Sequence, residues 1–296
     1  MIAVTGATGN VGSKIVKYLL AEGKKVVAIT RDPSAVLPAG VEVVRADPSR
    51  PGTLGSALRG VTALFVHPRA VGERAGELVA LAREQGVERV VALSAMNIDA
   101  PLEDQPSRFQ GDRNKEAEDA VVSSSLEWVS LRASSYASNT IRMWASQIRA
   151  GDVVRYIYPA FAESLLDERD LSEVGARALA FDENLIGRRL ELTGPESLTH
   201  QQMVAIIGEV LGRPLQYQEV PPDAAARGMI QHALPEPFVR ALMARYAREI
   251  GKPAIVTGEL ERILGRPART YREWVTDNTA AFQAVAESRL AAASHL

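Results

Sequence analysis

Ile2-Ala3-Val4-Thr5-Gly6-Ala7-Thr8-Gly9-Asn10-Val11-Gly12, followed by Ser13-Lys14-Ile15-Val16-Lys17-Tyr18-Leu19-Leu20, is the stretch that decides the fold. A short apolar run, three glycines and an amphipathic segment predict a strand, a tight turn and a helix. That order turns a glycine pattern into a dinucleotide-binding motif. Gly6 is expected to make the turn, Gly9 to let the backbone approach a pyrophosphate, and Gly12 to let the helix press on the strand. Thr8, Asn10 and Val11 lie between the glycines at the helix N-terminus, where free N–H groups and the helix dipole favour an anion. A glycine-rich turn with no ligand is the alternative.

Working outward, Lys24-Lys25-Val26-Val27-Ala28-Ile29-Thr30 reads as a second strand, ending at Arg31-Asp32-Pro33, where proline stops regular pairing. In this architecture the end of the second strand reads the adenosine ribose, an acid binding a 2′-hydroxyl and an arginine a 2′-phosphate. Arg31 therefore favours NADP(H) over NAD(H). A solvated surface arginine is the alternative, and Asp32 keeps NAD(H) open. Val41 to Ala46 predicts the third strand and delivers Asp47, either an adenine contact or a turn residue.

Val61 to Val66 is a continuous apolar run, as a central strand covered on both faces requires, and it ends at His67. Val71, Ala75, Leu78, Val79 and Ala82 follow at helical spacing. Val87 to Ser94 and Leu126 to Leu131 read as further strands, with a helix around Asn114 to Val122 between them. The alternation predicts an α/β, Rossmann-type doubly wound parallel sheet. Ligands bind such sheets at the carboxyl ends of the strands, so Gly6 to Gly12, Arg31, Asp47, His67, Ser94 and the segment Arg132-Ala133-Ser134-Ser135-Tyr136 should converge on one crevice.

Beyond about residue 150 the texture changes. Arg188 to Thr193 reads as one more strand, while Pro195 to Leu211 and Pro235 to Ile250 are predicted helical, broken by Pro214, Pro221-Pro222 and Pro253. The division expected is residues 1–150 with 171–194 as the nucleotide domain. Residues 151–170 and 195–296 then form a smaller, mainly helical substrate lobe over the cofactor's reactive end.

Composition narrows the partners. A net charge of −2 with mixed signs argues against nucleic acid or a membrane surface as the main partner and for a small-molecule ligand. There are no cysteines, which excludes disulfides and thiol catalysis, and the four histidines are scattered, so no metal is expected. No apolar run reaches membrane-spanning length and a strand at Ile2 leaves no room for a signal peptide, so a cytoplasmic protein is expected. A homo-oligomer stays open.

Val4 to Gly12, Thr30-Arg31, Leu93-Ser94-Ala95, Asn114-Lys115-Glu116-Ala117-Glu118, Leu131-Arg132, Asp167-Glu168-Arg169-Asp170 and Leu192-Thr193-Gly194-Pro195 together resemble the NmrA-like branch of the atypical short-chain dehydrogenase/reductases. The resemblance runs to about Leu211. It implies kinship with NADPH-dependent quinone reductases and azoreductase-like proteins, and with members that sense the cofactor rather than turn it over. Better-known short-chain dehydrogenases use Tyr-x-x-x-Lys, with both side chains on one helix face. Here the lysine matches Lys115 and the tyrosine position is Gly111, so tyrosine-dependent alcohol oxidation is not expected. Lys115 would contact the nicotinamide ribose, or would be a surface lysine paired with Glu118 or Asp119.

The expected activity is NADPH-dependent reduction of a quinone or related electron-poor carbonyl compound. A non-catalytic NAD(P) sensor and a dedicated biosynthetic reductase are the alternatives. Such a reduction develops negative charge on oxygen, which a nearby donor stabilises. Lys115 and Tyr136 are the catalytic candidates, the second also serving as a plain pocket wall. Trp144, Tyr156, Tyr158 and Phe161 fall where the lobe begins, either as a flat surface for an aromatic acceptor or as core.

Overall fold

The computed structural model describes residues 1–32, 34–180 and 182–283. The expected turn at Pro33 and residues 284–296 of the expected lobe lie outside the described residues. The chain alternates as read: β1 (Ile2–Thr5), α1 (Gly12–Ala21), β2 (Val26–Thr30), β3 (Glu42–Arg45), β4 (Ala63–Val66), α2 (Pro68–Val71), α3 (Ala75–Glu84), β5 (Arg89–Ala95), α4 (Asn114–Val122) and β6 (Glu127–Ala133). It continues through α5 (Asn139–Ala150), β7 (Val153–Tyr156), β8 (Ala162–Glu163), α6 (Glu168–Leu179), β9 (Arg188–Leu192), β10 (Leu198–Thr199), α7 (His200–Val210) and β11 (Gln216–Glu219). It closes with α8 (Pro222–Gln231), α9 (Glu236–Glu249), α10 (Glu259–Leu264) and α11 (Tyr271–Asp277).

Seven strands form one parallel sheet in the order β3-β2-β1-β4-β5-β6-β9. The order reverses between β1 and β4, and a crevice opens there at the carboxyl ends of the strands. Successive residues of a strand face opposite sides, so Val4 joins a core with Ile15, Leu19, Leu131 and Val174, while Ala3 joins one with Leu64, Leu78, Val90 and Ala117. Because helices cover both faces, the central strands are apolar throughout. The edge strand β3 is largely exposed and carries Glu42 and Arg45, charges that discourage pairing with another chain.

The second lobe is mainly helical, with two small sheets, β8 with β10 and β7 with β11. His200 is fully buried at its centre, ringed by Trp144, Tyr156, Phe161 and Tyr246 at centroid distances of 5.1 to 5.7 Å. Trp144, Tyr156 and Phe161 are therefore core, and burial pushes the His200 imidazole below its usual range. Counted with the nucleotide domain in sequence, α5 packs Trp144, Ala145 and Ile148 into this lobe's core. Leu260 and Leu264 of α10, counted with the lobe, pack against the sheet.

Two helices begin or break elsewhere than periodicity alone indicates. The segment from Val71 to Ala82 divides at Gly72, whose φ of 60° ends α2. The helix expected from Pro195 starts only at His200, because Thr199 and Gln202 form a reciprocal capping box and Leu198–Thr199 pair with β8. Among the described residues no helix is long and apolar enough to cross a membrane.

Candidate active site

The three glycines of the first turn differ in what holds them. Gly6 has φ +65°, and a Cβ there would meet the His67 ring at 2.8 Å; a Cβ on Gly12 would lie 2.3 Å from the Gly6 carbonyl oxygen. Those two positions are dictated by the fold itself. At Gly9 a Cβ would meet only the Gly6 oxygen, at 3.2 Å, so the fold nearly tolerates a side chain. The bare backbone there suits the close approach of a pyrophosphate. Behind it α1 starts with no capping side chain and no acid in its first turn, leaving its positive end for an anion.

Asn10 and Val11 serve the loop differently. The Asn10 amide donates to Ser138 Oγ and to Glu168 Oε1, both at 3.1 Å, and Lys14 Nζ donates to the Asn10 carbonyl at 2.9 Å. Val11 is buried, and its carbonyl accepts from Ser172 Oγ at 3.2 Å. These contacts anchor the glycine loop to α6.

A cavity of about 300 Å³ extends from this loop toward β2, lined among others by Gly6, Thr8, Thr30, Arg31, Asp32 and Ala70. Asp32 accepts from the Ser34 N–H and hydroxyl at 2.8 and 2.7 Å, which hold its carboxyl below the usual range. Asp47 does the same with Ser49, at 3.0 and 2.7 Å. The turn reading of Asp47 is thus the one its side-chain contacts follow.

At the other end of the crevice stand the termini of β4, β5 and β6. His67 caps α2: its Nδ1 accepts from the Arg69 N–H at 3.3 Å. A backbone N–H can only donate, so Nδ1 is unprotonated and the ring is the neutral Nε2–H tautomer. Burial brings its pKa down to about 4, in keeping with that bond. Ser94 is buried, and its Oγ has no hydrogen-bond partner among the described residues. Ala133 is core, and Ser134 joins the lobe to the sheet, its Oγ donating to the Ser164 carbonyl at 2.7 Å and its N–H to the Leu192 carbonyl at 2.9 Å. Tyr136 packs against the sheet core; burial, then the carboxylates of Asp112 and Glu168, push its phenol well above the usual range. It stays protonated at any ordinary pH.

Lys115 is not drawn into this group. Its ammonium pairs with Asp119 at 3.0 Å, both side chains substantially exposed, while α4 buries Asn114, Ala117, Glu118 and Val121. Gly111 ends the 3-10 turn Pro106–Gln110 at φ +97°, a conformation that disfavours any other residue, a tyrosine included.

Two groups were not legible in the sequence. Arg69 and Asp112 form a forked pair, Nε to Oδ1 at 2.9 Å and Nη2 to Oδ2 at 2.8 Å. Glu118 is buried and accepts from Ser130 at 2.5 Å, Arg132 Nη2 at 2.7 Å and Arg189 Nε at 2.8 Å. Burial alone would raise its carboxyl; these donors outweigh it and hold the group near 2. The available signal was an acid on the apolar stripe of α4.

An uncapped helix end behind bare glycine backbone, at the point where a parallel sheet reverses, suits the pyrophosphate of a nicotinamide dinucleotide. The chain belongs to the NAD(P)H-binding family, whose pattern matches residues 6–152, and it shares the fold of NmrA, with TM-score 0.72 at 15% identity. It is an NAD(P)H-dependent oxidoreductase. It is 35% identical to a (4-alkanoyl-5-oxo-2,5-dihydrofuran-3-yl)methyl phosphate reductase of Streptomyces griseus, over 95% of this chain and 99% of that one. With an NAD(P)H azoreductase of Xenophilus azovorans it shares 29% identity, over 96% and 100% of the two chains. Its fold is that of an NADPH-dependent quinone oxidoreductase from Escherichia coli complexed with NADPH, with TM-score 0.78 at 23% identity, covering 94% of this chain and 100% of the other.

Proposed function

We propose that the protein reduces an electron-poor conjugated carbonyl compound, a quinone or an unsaturated lactone, with NADPH and without the tyrosine of Tyr-x-x-x-Lys. The observation that carries this reading is Tyr136, a phenol kept protonated by burial in the segment after β6, at the same carboxyl edge of the parallel sheet as His67 after β4, with the Asp112 carboxylate acting on both. The relatives support the acceptor class. The Streptomyces griseus reductase is named for a ring whose double bond carries two carbonyls on one carbon, which leaves the other carbon electron-poor, and the double bonds of a quinone are likewise conjugated to carbonyls.

When bound, the cofactor supplies hydride. The protein orients the acceptor and handles the proton. As charge develops on the acceptor oxygen, His67 Nε2–H stabilises it and the Tyr136 hydroxyl delivers a proton. Gly6, Thr8, Gly9 and the N–H groups of Asn10 and Val11 would hold the cofactor's phosphates, and Ser94, buried with an unpartnered Oγ at the end of β5, would serve the nicotinamide end. On this reading the enzyme is cytoplasmic and its partner is a small molecule.

Tyr136→Phe is expected to lower turnover by about 10² to 10⁴, the usual worth of a positioned acid, while NADPH affinity stays within about threefold. Because the phenol is raised, the protonated, active form should persist past pH 10, so the unmutated rate should not fall on the alkaline side near the ordinary tyrosine value of about 10. Steady-state kinetics across pH check both. A Phe variant with full turnover would remove Tyr136 from the mechanism.

We also infer a preference for NADPH over NADH from Arg31, which lines the cavity beside Thr30. A charge-assisted hydrogen bond contributes about 1.5–3 kcal/mol, so Arg31→Ala should weaken NADPH by about tenfold or more and NADH little. Titrating both cofactors tests this, and equal affinities in the unmutated protein would refute it.

A further inference from the structure

We propose that Arg69, held in place by Asp112, is the anchor for a phosphate monoester on the acceptor. The proposal rests on the reductase reading and names the acceptor's recognition group. Arg69 lies in α2, two residues beyond His67, with its side chain half exposed. Asp112, much more buried, grips the edge formed by Nε and one N–H of Nη2. The guanidinium is a planar array of five donors, so Nη1 and the outer N–H of Nη2 remain. They have no partner among the described residues. A carboxylate that fixes one edge of an arginine leaves the other edge aimed and ready for a second oxyanion, the geometry that suits phosphate.

Its neighbours are already engaged. Arg108 pairs with Glu116 at 2.6 Å, and Arg113 pairs with Glu73 and donates to the carbonyls of Arg108 and Asp112. Arg69 thus presents an unfilled edge two residues beyond His67. Its position is the second support. Arg69 and Asp112 both act electrostatically on the His67 ring and on the Tyr136 phenol, the two groups assigned to the reacting oxygen. An acceptor whose phosphate meets the free edge of Arg69 is thereby tethered two residues along the chain from His67, the group assigned to its carbonyl oxygen.

The cofactor's own phosphates are the competing source of the same chemistry, and the experiment separates them. Two conjugated lactones that differ only in a phosphomethyl or a hydroxymethyl group are offered to the protein with saturating NADPH. The unmutated protein should show kcat/KM about tenfold to a hundredfold higher for the phosphate, the equivalent of one or two charge-assisted bonds. Arg69→Ala should erase that ratio, and Arg69→Lys should restore only part of it, because an ammonium lacks the fork. Asp112→Asn should lower it by weakening the grip on the guanidinium. A ratio that survives in Arg69→Ala overturns the proposal. So does a tenfold loss of NADPH affinity in that variant with equal losses on both lactones, which would give Arg69 to the cofactor. Equal reduction of both lactones by the unmutated protein overturns this assignment and leaves the reductase reading standing. Reduction of neither overturns this assignment, and the reductase reading falls with it only if quinones go unreduced as well.

Discussion

Gly9→Val is expected to weaken NADPH binding by about 10² to 10⁴ while the protein keeps its fold and melting temperature. The Cβ position at Gly9 meets only one carbonyl oxygen, at 3.2 Å, so the folded chain has room for most of the new side chain. On the proposed reading the bulk stands where the pyrophosphate would lie, and losing two charge-assisted N–H contacts costs about 3–6 kcal/mol. Gly12→Ala should behave in the opposite way. Its Cβ would sit 2.3 Å from the Gly6 oxygen, so the loop must shift and the start of α1 with it. Fluorescence titration together with thermal unfolding distinguishes the two. A Gly9→Val protein that binds NADPH within threefold of the unmutated one would mean that no ligand lies against that backbone.

The largest stability effect is expected at Glu118, which joins α4 to β6 and β9 through Ser130, Arg132 and Arg189. Glu118→Ala leaves the buried Arg132, among the described residues, with only Asp99, an exposed partner at 2.7 Å. Removing one member of a buried pair costs about 3–5 kcal/mol, a large share of the net stability of a domain. Urea unfolding measures it, and a loss under about 1 kcal/mol would show that water or Asp99 compensates. The pH dependence has a definite sign. The folded carboxyl is held near 2, below its unfolded value, so its contribution is complete above the unfolded value and is lost as pH falls toward 2. Glu118→Ala should therefore flatten the acid limb of the stability profile.

The sheet was legible in the sequence because its signals are local. Val61 to Val66 and Val87 to Ser94 are apolar along their length, as strands buried on both faces must be, and the glycines between Thr5 and Ser13 mark the turn unaided. What could not be read were choices made by tertiary packing. Lys115 had two acids at helical spacing, and the choice of Asp119 follows from Glu118 being turned inward to Arg132. Asn10 lay inside the motif, yet its amide is committed to Glu168, 158 residues away, which also accepts from Trp274 at 3.2 Å. Arg69 and Asp112 are 43 residues apart, and neither carries a local signal. Trp144, Tyr156 and Phe161 carry no local signal that separates core from pocket, and it is tertiary packing around His200 that makes them core.

The central claim is that this crevice passes hydride to a conjugated acceptor. It is tested most directly with NADPH deuterated at the transferring position, under single turnover, with quinones, azo dyes and unsaturated lactones as acceptors. The account predicts acceptor-dependent NADPH oxidation with deuterium recovered at the β-carbon of the unsaturated lactone, and loss of the signal in Gly9→Val. NADPH that binds but is not oxidised in the presence of any acceptor of that panel would contradict it.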